Sequence, residues 1–352
     1  MSLTILSVAF SLAPVSPDAA GGSEQILSML DAGIEAAGHR SVVIAQEGSA
    51  VAGTLLSFPA PQGELGETAK AEAHAAMRAT IADALARYTV DVIHLHGLDF
   101  VAYLPPPGVP VLATLHLPPS WYSQESLWTG RPNTWFNCVS ERQHAACPPL
   151  PNLLPPIANG VDVDALRAAY ARRNYALFLG RICPEKGVDI AIDAAKAAGM
   201  PLLVAGEVFS YEAHRRYFDE EVRPRLDRQR RFIGPIGFAR KRRLLTAARC
   251  LLVSSLAPET SSLVAREAAA CGTPVIAFPN GALSDAVEHG RTGFLVGDAA
   301  EMAEAMHQAG TIHPQVCRDT ARRRFSKEVM IRRYLELYGQ LAGAQVPLQG
   351  AA

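Results

Sequence analysis

No C-x-x-C pair occurs in the chain: its six cysteines, Cys138, Cys147, Cys183, Cys250, Cys271 and Cys317, are scattered through apolar contexts. That spacing excludes the common zinc-ribbon and dithiol motifs and predicts reduced, mostly buried thiols in a cytoplasmic protein. An excess of charge of one sign is also missing. The 33 Lys and Arg nearly balance 34 Asp and Glu, so nothing predicts a general affinity for nucleic acid or acidic membrane. No apolar run reaches the roughly 20 residues that cross a bilayer, so no transmembrane segment is expected. No Lys or Arg precedes Arg40, so the apolar start SLTILSVAFSLAPVSP lacks the charged n-region of a signal peptide and reads as a first strand over 4–10.

What is present is length for two domains, 352 residues, and an alternation of strand and helix patterns. Strands are predicted at 4–10, 41–45, 90–94 and 110–115, with a long Ala-rich helix at 68–88, and this alternation argues a parallel, doubly wound α/β sheet. Ser23 is expected to cap a helix whose apolar face is Ile26, Leu27, Leu30 and Ile34 and which Gly38 ends. Gly21 and Gly22 before it form either an ordinary turn or a loop that lets a ligand approach the backbone. His94 and His96 in the run VIHLH, and His116 at the end of VPVLATLH, fall at strand ends, where such sheets bind ligands; His94 alternates inward and reads as structural. The aromatics Trp121, Tyr122 and Trp128 after His116 read equally as a stacking surface or as closure of the domain edge. A proline-dense segment, 148–156, suits a boundary between domains.

The second half carries the sharper chemistry. A strand from Ala176 to Leu179 runs into Gly180 and Arg181, followed by Lys186 and Gly187 before a helix; both cations reach one short turn, where a fork and a point charge suit a diphosphate. Further strands are predicted at 201–206 and 231–236, then a helix at 239–248 whose cations 240–243 read as a solvated face or as facing an anionic acceptor or lipid. The stretch LLVSSLAPETSSLVAREAAACGTPVIAF then gives strand, loop, helix and strand, with Glu259 in the loop and Glu267 eight positions on in the helix. The helix start leaves N–H groups of Ser262, Leu263 and Val264 for a phosphate, while two carboxylates beside that seat call for hydroxyl partners. A ligand with diphosphate, ribose and sugar meets all these demands. An amphipathic helix with Val329, Tyr334, Leu337 and Tyr338 is predicted over 325–341.

G-R-x-x-x-x-K-G at 180–187, E-x7-E at 259–267, the N-G-V-D entry at 159–162 and the loop at Gly21-Gly22 together resemble the retaining glycosyltransferases of family 4. The resemblance covers nearly the whole chain in order, specific in the second half and loose in the first. It implies a GT-B fold: two Rossmann-like doubly wound domains facing a central cleft, with an acceptor domain at 1–158, a nucleotide-sugar domain at 159–325, a helix at 326–343 crossing back and a tail at 344–352. It also implies roles: Glu259 on the donor sugar, Glu267 on the ribose, Arg181 and Lys186 on the diphosphate, and His116, or else His96, on the sugar near the anomeric carbon. Where the family usually has Phe-Gly, this chain has Ser261-Ser262. Asp162 and Asp164 mimic a metal-binding D-x-D, yet no third acid supports a metal, and none is expected as cofactor.

The function expected is retaining, metal-independent transfer of a sugar from a nucleoside diphosphate sugar, a UDP- or GDP-sugar, to a hydroxyl of a sugar, lipid or small-molecule acceptor. Nucleic acid is not an expected partner; peripheral membrane contact stays open. A nucleotide-sugar epimerase and a catalytically silent nucleotide-sugar binding subunit are the alternatives.

Overall fold

A computed structural model of the chain describes residues 2–19, 21–60 and 66–343. It divides into two compact units, residues 1–158 with 328–352, and residues 159–327. The tail expected at 344–352 lies outside the described residues.

In the first unit six strands form one parallel sheet: β1 (Thr4–Val8), β2 (Arg40–Gln46), β3 (Thr54–Phe58), β4 (Val92–Leu95), β5 (Val111–Leu115) and β6 (Thr134–Cys138), in the order β3-β2-β1-β4-β5-β6. Strands such as Val42–Ala45 and Val111–Ala113 are buried throughout, as expected where helices cover both faces and alternation gives way to continuous apolar runs. The helix Glu67–Arg87 buries Ala69, Ala73, Met77, Ile81 and Ala84, a stripe at helical spacing. β3 and β6 were not anticipated. TLLSF has a half-exposed pattern, and TWFNC breaks its apolar run with Asn137, whose side chain is met by the distant Thr114 and Tyr334.

One sequence expectation needs correction here, and one open reading divides by residue. Ser23 is not the cap: Gly21 is, with no side-chain cap bond, and Ser23 lies inside the helix Gly22–Ala36 with its Oγ 3.0 Å from Glu24 Oε1. Tyr122 is buried, its hydroxyl accepting from the Leu117 N–H at 3.3 Å, whereas Trp121 and Trp128 are about half exposed.

The second unit repeats the plan. Strands β7 (Ala176–Leu179), β8 (Leu202–Ala205), β9 (Arg230–Phe232), β10 (Cys250–Val253), β11 (Val275–Ala277) and β12 (Gly293–Leu295) are all parallel, in the order β12-β11-β10-β7-β8-β9. Counted from its own first strand, that is the order of the first sheet. Leu177, Leu251 and Val275 enter one apolar layer, while Ala176, Phe178, Leu252 and Ile276 enter the other, which is the period of two expected of strands covered on both sides. Ser326 and Lys327, the first residue of the last helix, stay with this unit, where Lys327 donates its N–H to the Val161 carbonyl at 3.0 Å and its Nζ to Asp162 at 2.5 Å.

The last helix, Lys327–Ala342, groups from Glu328 onward with the first unit. Its buried seam is Met330, Tyr334, Tyr338 and Leu341, so Val329 and Leu337 flank the seam instead of forming it. Tyr334 OH meets Asn137 Nδ2 at 3.1 Å and Thr114 Oγ1 at 3.3 Å; Tyr338 OH meets His94 Nδ1 at 2.7 Å, and His94 Nε2 meets Thr114 Oγ1 at 2.7 Å. This buried polar network bolts the helix to the carboxyl ends of β4, β5 and β6. Tyr338→Phe leaves His94 Nδ1 buried without its partner and should lower the unfolding free energy by about 1–3 kcal/mol in a urea titration; an unchanged midpoint would show the network to be idle.

Candidate functional site

The order of the second sheet reverses between β7 and β10, and open sheets of this kind bind ligands beyond the strand carboxyl ends at such a reversal. β7 and β10 lie side by side with Ala176 opposite Cys250, so the loops that follow them emerge together. The first loop passes Gly180 and Arg181 into a short 3-10 turn, Pro184–Lys186, and reaches Gly187 at φ 59°. A Cβ at Gly187 would stand 2.4 Å from the Ser254 carbonyl oxygen, so only glycine lets the turn lie on the end of β10. Ser254 Oγ donates to the Gly187 carbonyl at 2.6 Å, and the Leu256 N–H donates to the Glu185 carbonyl at 2.8 Å.

Across this seam Lys186 Nζ meets Glu259 Oε1 at 2.5 Å, and Ser255 Oγ donates to the same oxygen at 2.5 Å. Burial pushes the Glu259 carboxyl up, but the Lys186 charge and hydrogen bond, the Ser255 hydroxyl and the Arg181 charge together hold it below the usual glutamate range. Its backbone is pinned by Gly281, at φ 61°, where a Cβ would fall 2.3 Å from the Glu259 carbonyl oxygen, and by the Ala282 N–H donating to that oxygen at 2.7 Å.

Glu267 lies on the helix Leu263–Ala270 and accepts from Lys241 Nζ at 2.5 Å, both side chains largely buried. Lys241, on the helix Phe238–Ala247, was not singled out by sequence reasoning as a partner of Glu267: it sits in a run of four cations with no local mark to set it apart. Between the two acids Arg266 is fully buried, donating to the Asn159 carbonyl and lying 5.0 Å over the Phe325 ring; burial brings its guanidinium down to about 10.

Ser262 is the N-cap position of the Leu263–Ala270 helix, but it does not cap with its side chain. It stands at φ 53° in the left-handed region, and its Oγ and that of Ser261 are buried with no hydrogen-bond partner. The N–H groups of Leu263 and Val264 open the helix, where no acceptor lies one turn earlier. Arg181, Lys186 and Glu259 are therefore brought together, while Ser262, Leu263 and Val264 lie at the start of the helix that follows the Glu259 loop, with Glu267 one turn further along it.

The remaining candidates lie on the first unit. Gly21 and Gly22 open the helix after β1, and a Cβ on Gly21 would collide with the buried Glu24 carboxylate. His96 follows β4 and His116 follows β5; His96 Nδ1 lies 3.0 Å from His116 Nε2 with the rings stacked. Burial pushes His116 down to about 4, and burial with neighbouring histidines takes His94 and His96 well below the ordinary value, so the three rings are neutral at physiological pH. Asp162 and Asp164 are engaged by Lys327 and by Arg322, the latter at 2.6 Å.

Residues 173–310 match the family described as glycosyl transferases group 1. That match lies within the second unit. The match takes in Arg181, Lys186, Lys241, Glu259 and Glu267. The chain is 28% identical to the phosphatidyl-myo-inositol mannosyltransferase of Mycobacterium leprae over 245 residues, 61% of this chain and 63% of that protein, and so spans less than two thirds of this relative's length. Among solved structures it is similar to AviGT4, a glycosyltransferase involved in avilamycin A biosynthesis, at 25% identity and TM-score 0.73, covering 97% of this chain and 98% of that one. It is also similar to Anabaena HepE, solved in complex with UDP and glucose, at 20% identity and TM-score 0.73, covering 96% and 100%. The architecture is the two-domain α/β GT-B fold.

Two outcomes follow for the second unit. Lys186→Met strands the Glu259 carboxylate and should destabilise by about 2 kcal/mol at pH 7, less than the roughly 3–5 of a fully buried pair because Lys186 is partly exposed. In the wild type Glu259 titrates below its unfolded value of about 4.3, so the stability it contributes is complete above that pH and drains as acid protonates the folded state. In the variant the unpaired carboxylate titrates higher, so the deficit should shrink from pH 7 toward pH 5; a deficit constant over that range in chemical denaturation would refute the pairing. Ser262→Gly removes left-handed strain and an unpartnered hydroxyl and should raise stability by about 1 kcal/mol. A loss instead would mean that the hydroxyl is satisfied.

Proposed function

We propose that the chain is a glycosyltransferase that moves a sugar from a nucleoside diphosphate sugar, with UDP as the favoured nucleotide, to an acceptor hydroxyl, with retention and without a metal. One observation carries this reading. At the carboxyl ends of β7 and β10 the cations Arg181 and Lys186, two unpartnered buried hydroxyls at Ser261 and Ser262, and the opening N–H groups of a helix belong to adjoining loops. Buried hydroxyls without partners are costly, about 1–3 kcal/mol each, unless a ligand satisfies them, and an anion with several acceptor oxygens does so. The two serines stand where the family resemblance expects Phe-Gly; in this reading their hydroxyls donate to phosphate alongside the backbone. The complexes of Anabaena HepE with UDP, UDP-glucose, and UDP and glucose support the choice of nucleotide.

Departure of the nucleoside diphosphate leaves negative charge on its oxygens, and fixed cations and N–H groups stabilise it most where water is scarce. Arg181 and Lys186 take that charge. Glu259, an acceptor through its carboxylate, orients sugar hydroxyls; Glu267 does the same for ribose, with Lys241 holding its carboxylate in place. His116, uncharged, offers a hydrogen bond to the sugar without adding charge near an oxocarbenium-like centre. The acceptor is a hydroxyl compound; the mannosyltransferase relative, named for phosphatidyl-myo-inositol, makes polyol acceptors the first to try.

Calorimetry with UDP tests the assignment. Each of Arg181→Ala and Lys186→Ala removes a charge-assisted contact of about 1.5–3 kcal/mol and should weaken UDP roughly 10–150-fold. Transfer should persist in excess chelator and keep the donor's anomeric configuration by NMR. UDP affinity unaltered in both variants would defeat the diphosphate assignment, and an inverted product would defeat the mechanism.

A further inference from the structure

The turn that carries the two cations carries a second set of donors that the proposed reaction does not use. Cys183 and Glu185 flank Pro184, and His214 comes from the helix Glu212–Tyr217; one ligand atom from each lies within 4.8 Å of the others. Among the described residues this is the one such gathering of His, Cys, Asp and Glu. A thiolate, a carboxylate and an imidazole suit a borderline-soft cation such as zinc, whereas magnesium and calcium take oxygen sets.

A second observation points to a ligand. His214 Nδ1 is buried and has no hydrogen-bond partner, and its ring is held by Phe209, stacked at 6.3 Å, and Tyr211, edge-on at 5.2 Å. A ring fixed in orientation with a buried nitrogen left unsatisfied is an arrangement a metal–nitrogen bond would complete. On the other side the turn is fixed through its backbone, by the Lys186 N–H to the Cys183 carbonyl at 3.0 Å and by the Leu256 N–H to the Glu185 carbonyl. The opposing effect is the Arg181 charge, which lies close enough to act on both His214 and Glu185. Two anionic ligands, the Glu185 carboxylate and the thiolate formed at Cys183, offset it.

We propose that Cys183, Glu185 and His214 form a zinc site with three protein ligands and a fourth position for water. Bonds of about 2.0–2.3 Å require the ligand atoms to close from their present spacing to roughly 3.5 Å of one another, a movement within reach of side-chain rotation. The step is a ligand exchange without redox change: Cys183 releases its proton to solvent, and the ion loses water as the sulfur, oxygen and nitrogen bonds form. The bound ion ties the His214 helix to the turn holding Arg181 and Lys186. The site is independent of whether the chain transfers sugars.

Cobalt(II) titration of the full chain tests it, because a cobalt thiolate shows a charge-transfer band and tetrahedral cobalt shows intense visible bands. One cobalt per chain with both signatures is expected, displaced by zinc. Cys183→Ser should remove the charge-transfer band. His214→Ala should weaken cobalt by more than the roughly 10–100-fold that loss of an outer-shell partner costs. Cys138→Ser, outside the set, should leave the spectrum unchanged, and zinc should raise Tm in the wild type but not in Cys183→Ser. A titration with no charge-transfer band, or a band that survives in Cys183→Ser, overturns the site. UDP binding measured on the same samples reports separately on the transferase reading.

Discussion

The contact between Lys186 and Glu259 is the constraint around which the second unit is arranged. It spans the reversal of strand order, joining the loop after β7 to the loop after β10 through a side-chain pair 2.5 Å apart and mostly out of water. A pair so placed is stable only while both members are present and fixed, since either one alone is a desolvated charge. The surrounding backbone supplies that fixity. Gly187 lets the cationic turn rest on Ser254, Gly281 lets a neighbouring strand end rest on Glu259, and neither position has room for a side chain. Ser255 adds a second donor to the same carboxylate oxygen. Removing any of these loosens a loop, but removing one charge changes what the site is.

The same logic recurs at Glu267, where Lys241 takes the role of Lys186. Pairing each acid with a lysine changes the electrostatic character of the E-x7-E segment. Two bare carboxylates beside a helix start would repel a diphosphate. Two compensated ones, with Arg181 close enough to be felt at Glu259, no longer present bare negative charge to the helix start. The carboxylates keep lone pairs for hydroxyl donors, so one cluster can hold anionic and polyhydroxylated parts of a ligand side by side.

Much of this was legible because it is local in sequence. A cation, four residues and a lysine before glycine define a turn; two glutamates eight apart bracket a helix start; and apolar runs broken by glycine mark parallel strands. What stayed hidden depends on distance or on backbone conformation. Lys241 reaches Glu267 across 26 residues from a helix whose cations look alike in sequence. The polar network of the last helix joins Tyr338 to His94 over 244 residues. Ser262 reads as a cap from its chemistry, and it fails as one because the position demands a left-handed backbone that turns the hydroxyl away from the helix N–H groups. Asn137 disguised β6, because a buried amide in a strand makes sense only once Thr114 and Tyr334 are known to meet it.

The two sheets share one strand order yet concentrate opposite kinds of polarity at their carboxyl ends. In the second unit that end is charged, and every charge described there is either paired or close to an opposite one. In the first, Glu24 and Asp99 stand nearby, but β4 and β5 themselves end in uncharged rings: His94, His96 and His116 lie against one another, so protonating any of them means placing a cation in a desolvated site beside other rings. Such a cluster donates and accepts hydrogen bonds at fixed angles but offers nothing to hold an anion. The bolt from Tyr338 through His94 to Thr114 fixes the His94 ring, and His96 bonds His116 through Nδ1, which leaves its Nε2 unpartnered. The fold thus repeats while the chemistry does not, because the side chains at the strand ends, not the strand order, decide whether a sheet end suits a phosphate or a hydroxyl.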